Sequence, residues 1–423
     1  MDSASAGGLA DSGRRPGPNT VAVLVLIALC LGLLLWQRPW QGAGDPVPEI
    51  PADASSALTA QFRALSQAES EASFTAAAGT SDAAKVFAQR AWQARTELGA
   101  TAVAFRYVMG GEVADRSDGS ASADVEVTWS AGAEAGLDVS TTRTSSVAFR
   151  VAPQGDGGFS IVSATPRSGP LPLWLAGAVK IERPDGAVVI RVDGGDPELP
   201  VESMATAARD AVLRVLPGTK GEVTVISPHS QKQMAQLVGQ PVKEITQIAA
   251  VTTRLDGRSG SADDIVVVLN PTVFSTMDRR AAQVVLSHEA THLLTEAVGT
   301  RAESWVVEGF ADFVALRDDS ASLAISAGQI LAEVKADGAP GRLPTAADFD
   351  SGKHGLGAVY ESAWMAFRLL GERYGDAAVV GFYQAVLSDM PLDSAVDKAF
   401  GITVGQLTTQ WRAYLAKSAS IVS

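Results

Sequence analysis

Residues 288–292 read HEATH and residues 304–313 read SWVVEGFADF. On an α-helix, positions i and i+4 share a face, so His288 and His292 can aim both imidazoles at one point, with Glu289 beside the first of them. That arrangement suits a zinc ion, and a zinc site built from protein needs a third ligand. Glu308, in the second stretch, is the candidate. Enough chain separates it from His292 for one helix to finish, turn and bring a second helix alongside. Asp312 lies one turn beyond Glu308 on the same face, where it can accept the second ring proton of His288 or His292 and fix its tautomer. Trp305, nearly one turn before Glu308, is expected to pack beneath. Asp278 reads as the N-cap of the first helix and Gly299 as its C-cap.

Working outward from HEATH, the chain upstream alternates strands with helices. AVVIRV at 187–192 reads as a strand, 201–216 as an amphipathic helix and EVTVIS at 222–227 as a strand. IAAVTTRL at 248–255 and DIVVVLN at 264–270 read as a strand pair across the turn between them. A mixed sheet is therefore expected first. After Asp278 the pattern is almost wholly helical. His229, between Pro228 and Ser230, reads as a surface loop residue, and 337–357 as a loop that borders the cleft.

The pairing of HExxH with WxxEGxAxF resembles the signature of gluzincin metallopeptidases, in particular the peptidase MA-like group. The resemblance covers about residues 175–418 and extends to YESAWMAFRLLGERYG at 360–375 and AFGITVGQLTTQWRAYL at 399–415. It implies hydrolysis of a peptide bond in a protein or peptide substrate, by a zinc-activated water with Glu289 as general base. It also implies that a tyrosine of the helical part stabilises the tetrahedral intermediate. Tyr360 stands in the matching segment, and His354 competes for that role. An upstream edge strand would hold the substrate backbone, with IAAVTTRL as the candidate. No GAMEN-like motif is visible, which speaks against an exopeptidase.

The N-terminal part has a different character. Residues 1–20 read as a disordered tail, and 21–36 (VAVLVLIALCLGLLLW) carry no charge. The uncharged run is slightly short for a bilayer, but Thr20 and Gln37 extend it and Trp36 and Trp40 suit the interface. Leu29 before Cys30 argues against a lipoprotein signal, and Gln41 before Ala43 against cleavage. The expectation is an uncleaved anchor over 21–37, with Arg14 and Arg15 holding the N-terminus in the cytoplasm. This predicts a single-pass plasma-membrane protein with its catalytic domain outside. A Pro- and Gly-punctuated linker, 38–54, follows.

Residues 55–170 show helical spacing first, around 58–65 and 83–98. Alternating strands follow at Val125, Val127 and Trp129, then Val147, Phe149 and Val151, then Phe159 and Ile161. That order resembles the cone of the nuclear-transport-factor and ketosteroid-isomerase superfamily, and no paired acid and base marks a second active site there. A spacer or partner-binding module is the plain reading. Pro170 and Pro172 mark its boundary.

The expected fold class is α+β: one transmembrane helix, a helix-then-antiparallel-sheet cone-like domain, and a gluzincin domain over 175–418 with a mixed-sheet subdomain followed by a helical one. Composition sets the outer bounds. With 423 residues, 46% hydrophobic and 19% charged, the chain can bury sizeable cores. A net charge of -13 without a Lys/Arg cluster excludes nucleic acid as a natural partner. Cys30 is the only cysteine, so no intrachain disulfide forms. An anchored scaffold with an idle or structural metal site is the competing function class, and the intact ligand set with its glutamate favours the enzyme.

Overall fold

The computed structural model describes residues 52–110, 119–155, 157–255, 264–349 and 355–422. The first unit opens with three helices: α1 (Ala52–Ser66), α2 (Glu71–Ala78) and α3 (Asp82–Glu97). The middle one is not visible as an apolar period in the sequence. It is set locally, by a capping box in which Ser70 and Ser73 satisfy each other's backbone N–H groups. An antiparallel meander follows, of β1 (Thr101–Gly110), β2 (Ala121–Ser130), β3 (Arg143–Pro153) and β4 (Phe159–Ser168), in spatial order β1-β2-β3-β4. Alternation along β3 puts every second residue inside. One face of this sheet is covered by a cluster of Phe62, Phe105, Phe149 and Trp174, whose rings meet at centroid distances of 5.2–6.1 Å.

The second sheet has five strands: β5 (Val179–Glu182), β6 (Ala187–Val192), β7 (Val223–Ser227), β8 (Ala250–Arg254) and β9 (Ile265–Leu269). Their order is β5-β6-β7-β9-β8. The central pairs β6/β7 and β7/β9 are parallel and the outer pairs antiparallel. Helix α4 (Val201–Val215) makes the crossover between β6 and β7, and α5 (Gln231–Val238) follows β7.

The two faces of this sheet belong to two different cores. Val189, Val225 and Val267 pack with α4 and the helices beyond. Val188, Ile190, Ile226 and Val268 pack with the first unit and α5. Burial on both faces is why these strands read as unbroken apolar runs rather than as alternation. The first unit thus shares a core with the sheet instead of hanging from it. The Thr224 hydroxyl donates to the Gly136 carbonyl at 3.0 Å, and a Cβ on Gly136 would come within 2.7 Å of Val188.

Helices complete the chain: α6 (Arg279–Leu294), α7 (Ser304–Ala315), α8 (Gly328–Asp337), α9 (Leu356–Tyr374), α10 (Asp376–Leu387), α11 (Leu392–Phe400) and α12 (Val404–Ile421). The Asp278 side chain caps α6 by accepting from the Ala281 N–H. Gly299 is not its C-cap: α6 ends at Leu294 with Thr295 as the cap, and Gly299, at φ +80°, turns the chain farther on.

The membrane expectation needs correction. Among the described residues no helix is long and apolar enough to cross a membrane. The longest, α9, carries Glu361, Arg368, Glu372 and Arg373 along its length. The expected span at 21–37 lies outside the described residues. The anchored fold class and the single-pass plasma-membrane location therefore give way to a mixed α/β architecture of two sheets and a helical C-terminal third.

Candidate metal centre

Helix α6 carries HEATH beneath the outer edge of the second sheet, and α7 lies beside it. Close approach of α7 to α9 depends on Gly309, the residue after Glu308: a Cβ there would come within 2.7 Å of both the Ala363 carbonyl oxygen and the Phe367 ring. Trp305 is buried on the same side, against Phe367 and Phe382 at 5.8 and 6.1 Å.

This packing brings His288, His292 and Glu308 together, all buried. Their nearest atoms form a triangle: His288 Nε2 to His292 Nε2 2.9 Å, His288 Nε2 to Glu308 Oε2 3.1 Å, and His292 Nε2 to Glu308 Oε2 3.4 Å. All three candidate ligand atoms lie within 4.8 Å of one another. Zinc–ligand distances of about 2.0–2.2 Å at a tetrahedral angle put neighbouring ligand atoms about 3.3–3.6 Å apart, so the triangle needs only a small expansion to reach that size.

Asp312 Oδ1 accepts from His288 Nδ1 at 2.8 Å. With that proton on Nδ1, neutral His288 turns a lone pair toward the Glu308 carboxylate, an arrangement that asks for a cation between them. Burial acts against charge on His288, but Asp312 and Glu308 outweigh it and raise its pKa to about 10. Glu308 shows the converse: burial acts to raise it, yet the two imidazoles hold its carboxyl at about 2. Two histidines and a carboxylate, one imidazole oriented by a second carboxylate, fit zinc in donor type and spacing.

Glu289 is buried next to the triangle. Burial pushes its carboxyl above the ordinary range, opposed by the two imidazoles and a hydrogen bond from Thr252. The Thr252 hydroxyl donates to Oε2 at 2.5 Å, whereas Oε1 has no hydrogen-bond partner among the described residues. Sequence reasoning did not single out Thr252. No signal in the sequence marks it: Thr252 faces α6, on the same side of β8 as the buried Ala250, only once the sheet packs on the helix.

Tyr360 is buried on α9, its ring 6.5 Å from that of His288 and edge-on to Phe349 at 4.9 Å. His354 lies outside the described residues. His229 is exposed in the loop before α5, its ring nitrogen 3.4 Å from the Gly195 carbonyl, apart from this cluster. A second tyrosine, Tyr383, stacks on Phe310 at 3.7 Å and meets the Thr295 hydroxyl at 2.9 Å.

No known protein family matches the chain. No curated protein matches it either. Among solved structures it is similar to a mutant of the M1 zinc metallopeptidase of Deinococcus radiodurans bound to a Tyr-Ser-Ala substrate, with 13% identity over 75% of this chain, 61% of that chain, and a TM-score of 0.36. A two-domain M1 zinc metallopeptidase mutant bound to L-arginine gives 13% identity over 75% of this chain and 61% of that one, at a TM-score of 0.34. One bound to L-tryptophan gives 14% identity over 61% and 56%, at 0.32. The chain thus spans less than two thirds of these proteins, and TM-scores of 0.36 and below do not establish a common fold.

Proposed function

We propose that this chain is a zinc-dependent metallopeptidase that hydrolyses peptide bonds in a protein or peptide substrate. The observation that supports it best is the convergence of His288 Nε2, His292 Nε2 and Glu308 Oε2 within 4.8 Å beside a buried glutamate. Zinc held by these three would polarise the scissile carbonyl and lower the pKa of a water to about 7.

The chain's own residues do the rest. Asp312 keeps the His288 proton on Nδ1, so that Nε2 is free to bind metal. Glu289, with Oε1 unengaged, takes the proton of the attacking water and delivers it to the leaving amine. Tyr360, beside His288, donates to the developing oxyanion, a contribution worth about 3 kcal/mol in comparable sites. Strand β8 forms one edge of the sheet, where an extended peptide substrate would pair with its main-chain groups.

The test is elemental analysis of the full chain together with hydrolysis of casein. Wild type should hold one zinc, with His292→Ala and Glu308→Ala losing it or binding it far more weakly. Glu289→Gln should retain zinc and lose casein hydrolysis by about 10²-fold or more. A well-folded wild type that takes up no zinc, even with added metal, would overturn the proposal.

A further inference from the structure

We infer that Thr252 is a positioning residue for the general base, holding one oxygen of Glu289 so that the other is presented to the reaction. The inference rests on the metallopeptidase reading and adds a residue that HExxH does not contain.

Three observations carry it. First, the Thr252 hydroxyl to Glu289 Oε2 distance is 2.5 Å, at the short end for a hydroxyl donating to a carboxylate and shorter than its 3.0 Å approach to the Glu289 carbonyl. A hydroxyl has one proton to give, and the carboxylate oxygen is the better acceptor. Second, the two oxygens of Glu289 are thereby made different. Oε2 is engaged, while Oε1 is buried with no partner among the described residues. A carboxylate held at one oxygen cannot rotate freely about its last torsion, and the unengaged oxygen keeps one direction. Third, Thr252 comes from a rigid support. It pairs with Val267 in the middle of the β8/β9 ladder and is itself buried. The hairpin is tied to the first unit through the buried ion pair of Asp264 with Arg143.

Packing does not account for the hydroxyl. On the face of β8 that meets α6, Val would fill the same volume as Thr and suit a strand equally well. What Val cannot supply is the donor.

The test compares wild type, Thr252→Val and Thr252→Ser as full chains loaded with zinc. Three properties are read: zinc stoichiometry, affinity for acetohydroxamate by calorimetry, and kcat and KM on casein. Acetohydroxamate is a zinc-binding probe whose hydroxyl is placed to hydrogen-bond to a correctly oriented base. Thr252→Val should keep its zinc, bind acetohydroxamate about tenfold more weakly, and lose about 10- to 100-fold in kcat with KM within about twofold, the pattern of a misplaced reacting group. Thr252→Ser should recover both to within about threefold of wild type. Should the Val variant fail to fold, Thr252→Ala takes its place under the same criteria. Wild-type acetohydroxamate affinity in zinc-loaded Thr252→Val overturns this inference and leaves the proposed function standing. So does a Ser variant as impaired as the Val one, because it would show that the hydroxyl by itself does not position the base. Absence of zinc from wild type overturns the proposed function, and this inference with it.

Discussion

Asp312 on α7 reaches across to α6, where its Oδ1 lies 2.8 Å from His288 Nδ1. Glu308 and Asp312 are one turn apart on α7, as His288 and His292 are on α6, so two i,i+4 pairs face each other and both nitrogens of His288 are engaged. Asp312→Ala should therefore weaken zinc binding about 10- to 100-fold with all three ligands intact. Asp312→Asn should fall between, because an amide oxygen still accepts from Nδ1 but brings no charge. Competition with a chromophoric chelator measures this, and unchanged affinity in Asp312→Ala would refute the role.

Gly309 lets α7 pack tightly against α9. An added methyl there meets backbone as well as ring at 2.7 Å, and neither Ala363 on α9 nor the Phe367 ring can yield without shifting a helix. Gly309→Ala is expected to cost about 1–3 kcal/mol in urea unfolding, the range for overpacking a filled core. Displacement of Glu308, its immediate neighbour, should weaken zinc binding as well. A variant as stable as wild type would show that α7 and α9 slide apart at no cost.

The clustering of His288, His292 and Glu308 was legible because helical periodicity places i and i+4 on one face, and a Glu in a second helix was the candidate third donor. The strand pair 248–255 and 264–270 was legible too, from apolar runs broken by a turn. What the sequence did not disclose depends on contacts between distant elements. Thr252 acquires its partner only when β8 lies over α6, 37 positions along the chain. Gly299 looked like a cap, but α6 ends earlier, where the Ala297 N–H bonds to the His292 carbonyl. The shared core between the first unit and the second sheet was equally hidden: runs such as AVVIRV indicate two buried faces without saying what covers each.

Arg143 and Asp264 join the first unit to the start of β9, both side chains essentially inaccessible. The guanidinium also donates to the carbonyls of Asp138 and Thr141 and lies 5.0 Å from the Trp129 ring. Removing only the cation strands a buried carboxylate, so Arg143→Met should lose about 3–5 kcal/mol in urea unfolding. Adding Asp264→Leu should restore much of that loss, because the apolar pair has no charge to desolvate. If the double variant is no better than the single one, the pair acts through hydrogen bonding rather than charge balance.

Glu361, next to Tyr360 on α9, gives the protein a pH dependence of defined sign. It is 2% exposed and accepts from the Ile330 N–H at 2.8 Å and the Gln329 amide at 3.2 Å, holding the start of α8. Burial lifts its carboxyl from 4.5 to about 8; the hydrogen bonds from Ile330 and Gln329 oppose this, and the Asp312 carboxylate adds to it. Below pH 4.5 the folded and unfolded chains are both protonated at this group, so it has no effect. As pH rises from there to about 8, the unfolded chain releases the proton and the folded one retains it, so stability is lost progressively through that window. The slope is at most about 1.4 kcal/mol per pH unit. Glu361→Gln keeps an acceptor for Ile330 and removes the titration. Its stability relative to wild type should therefore grow between pH 5 and pH 8, by on the order of 1–3 kcal/mol in urea unfolding. A difference that stays constant across that range would mean that Glu361 is ionised in the folded protein.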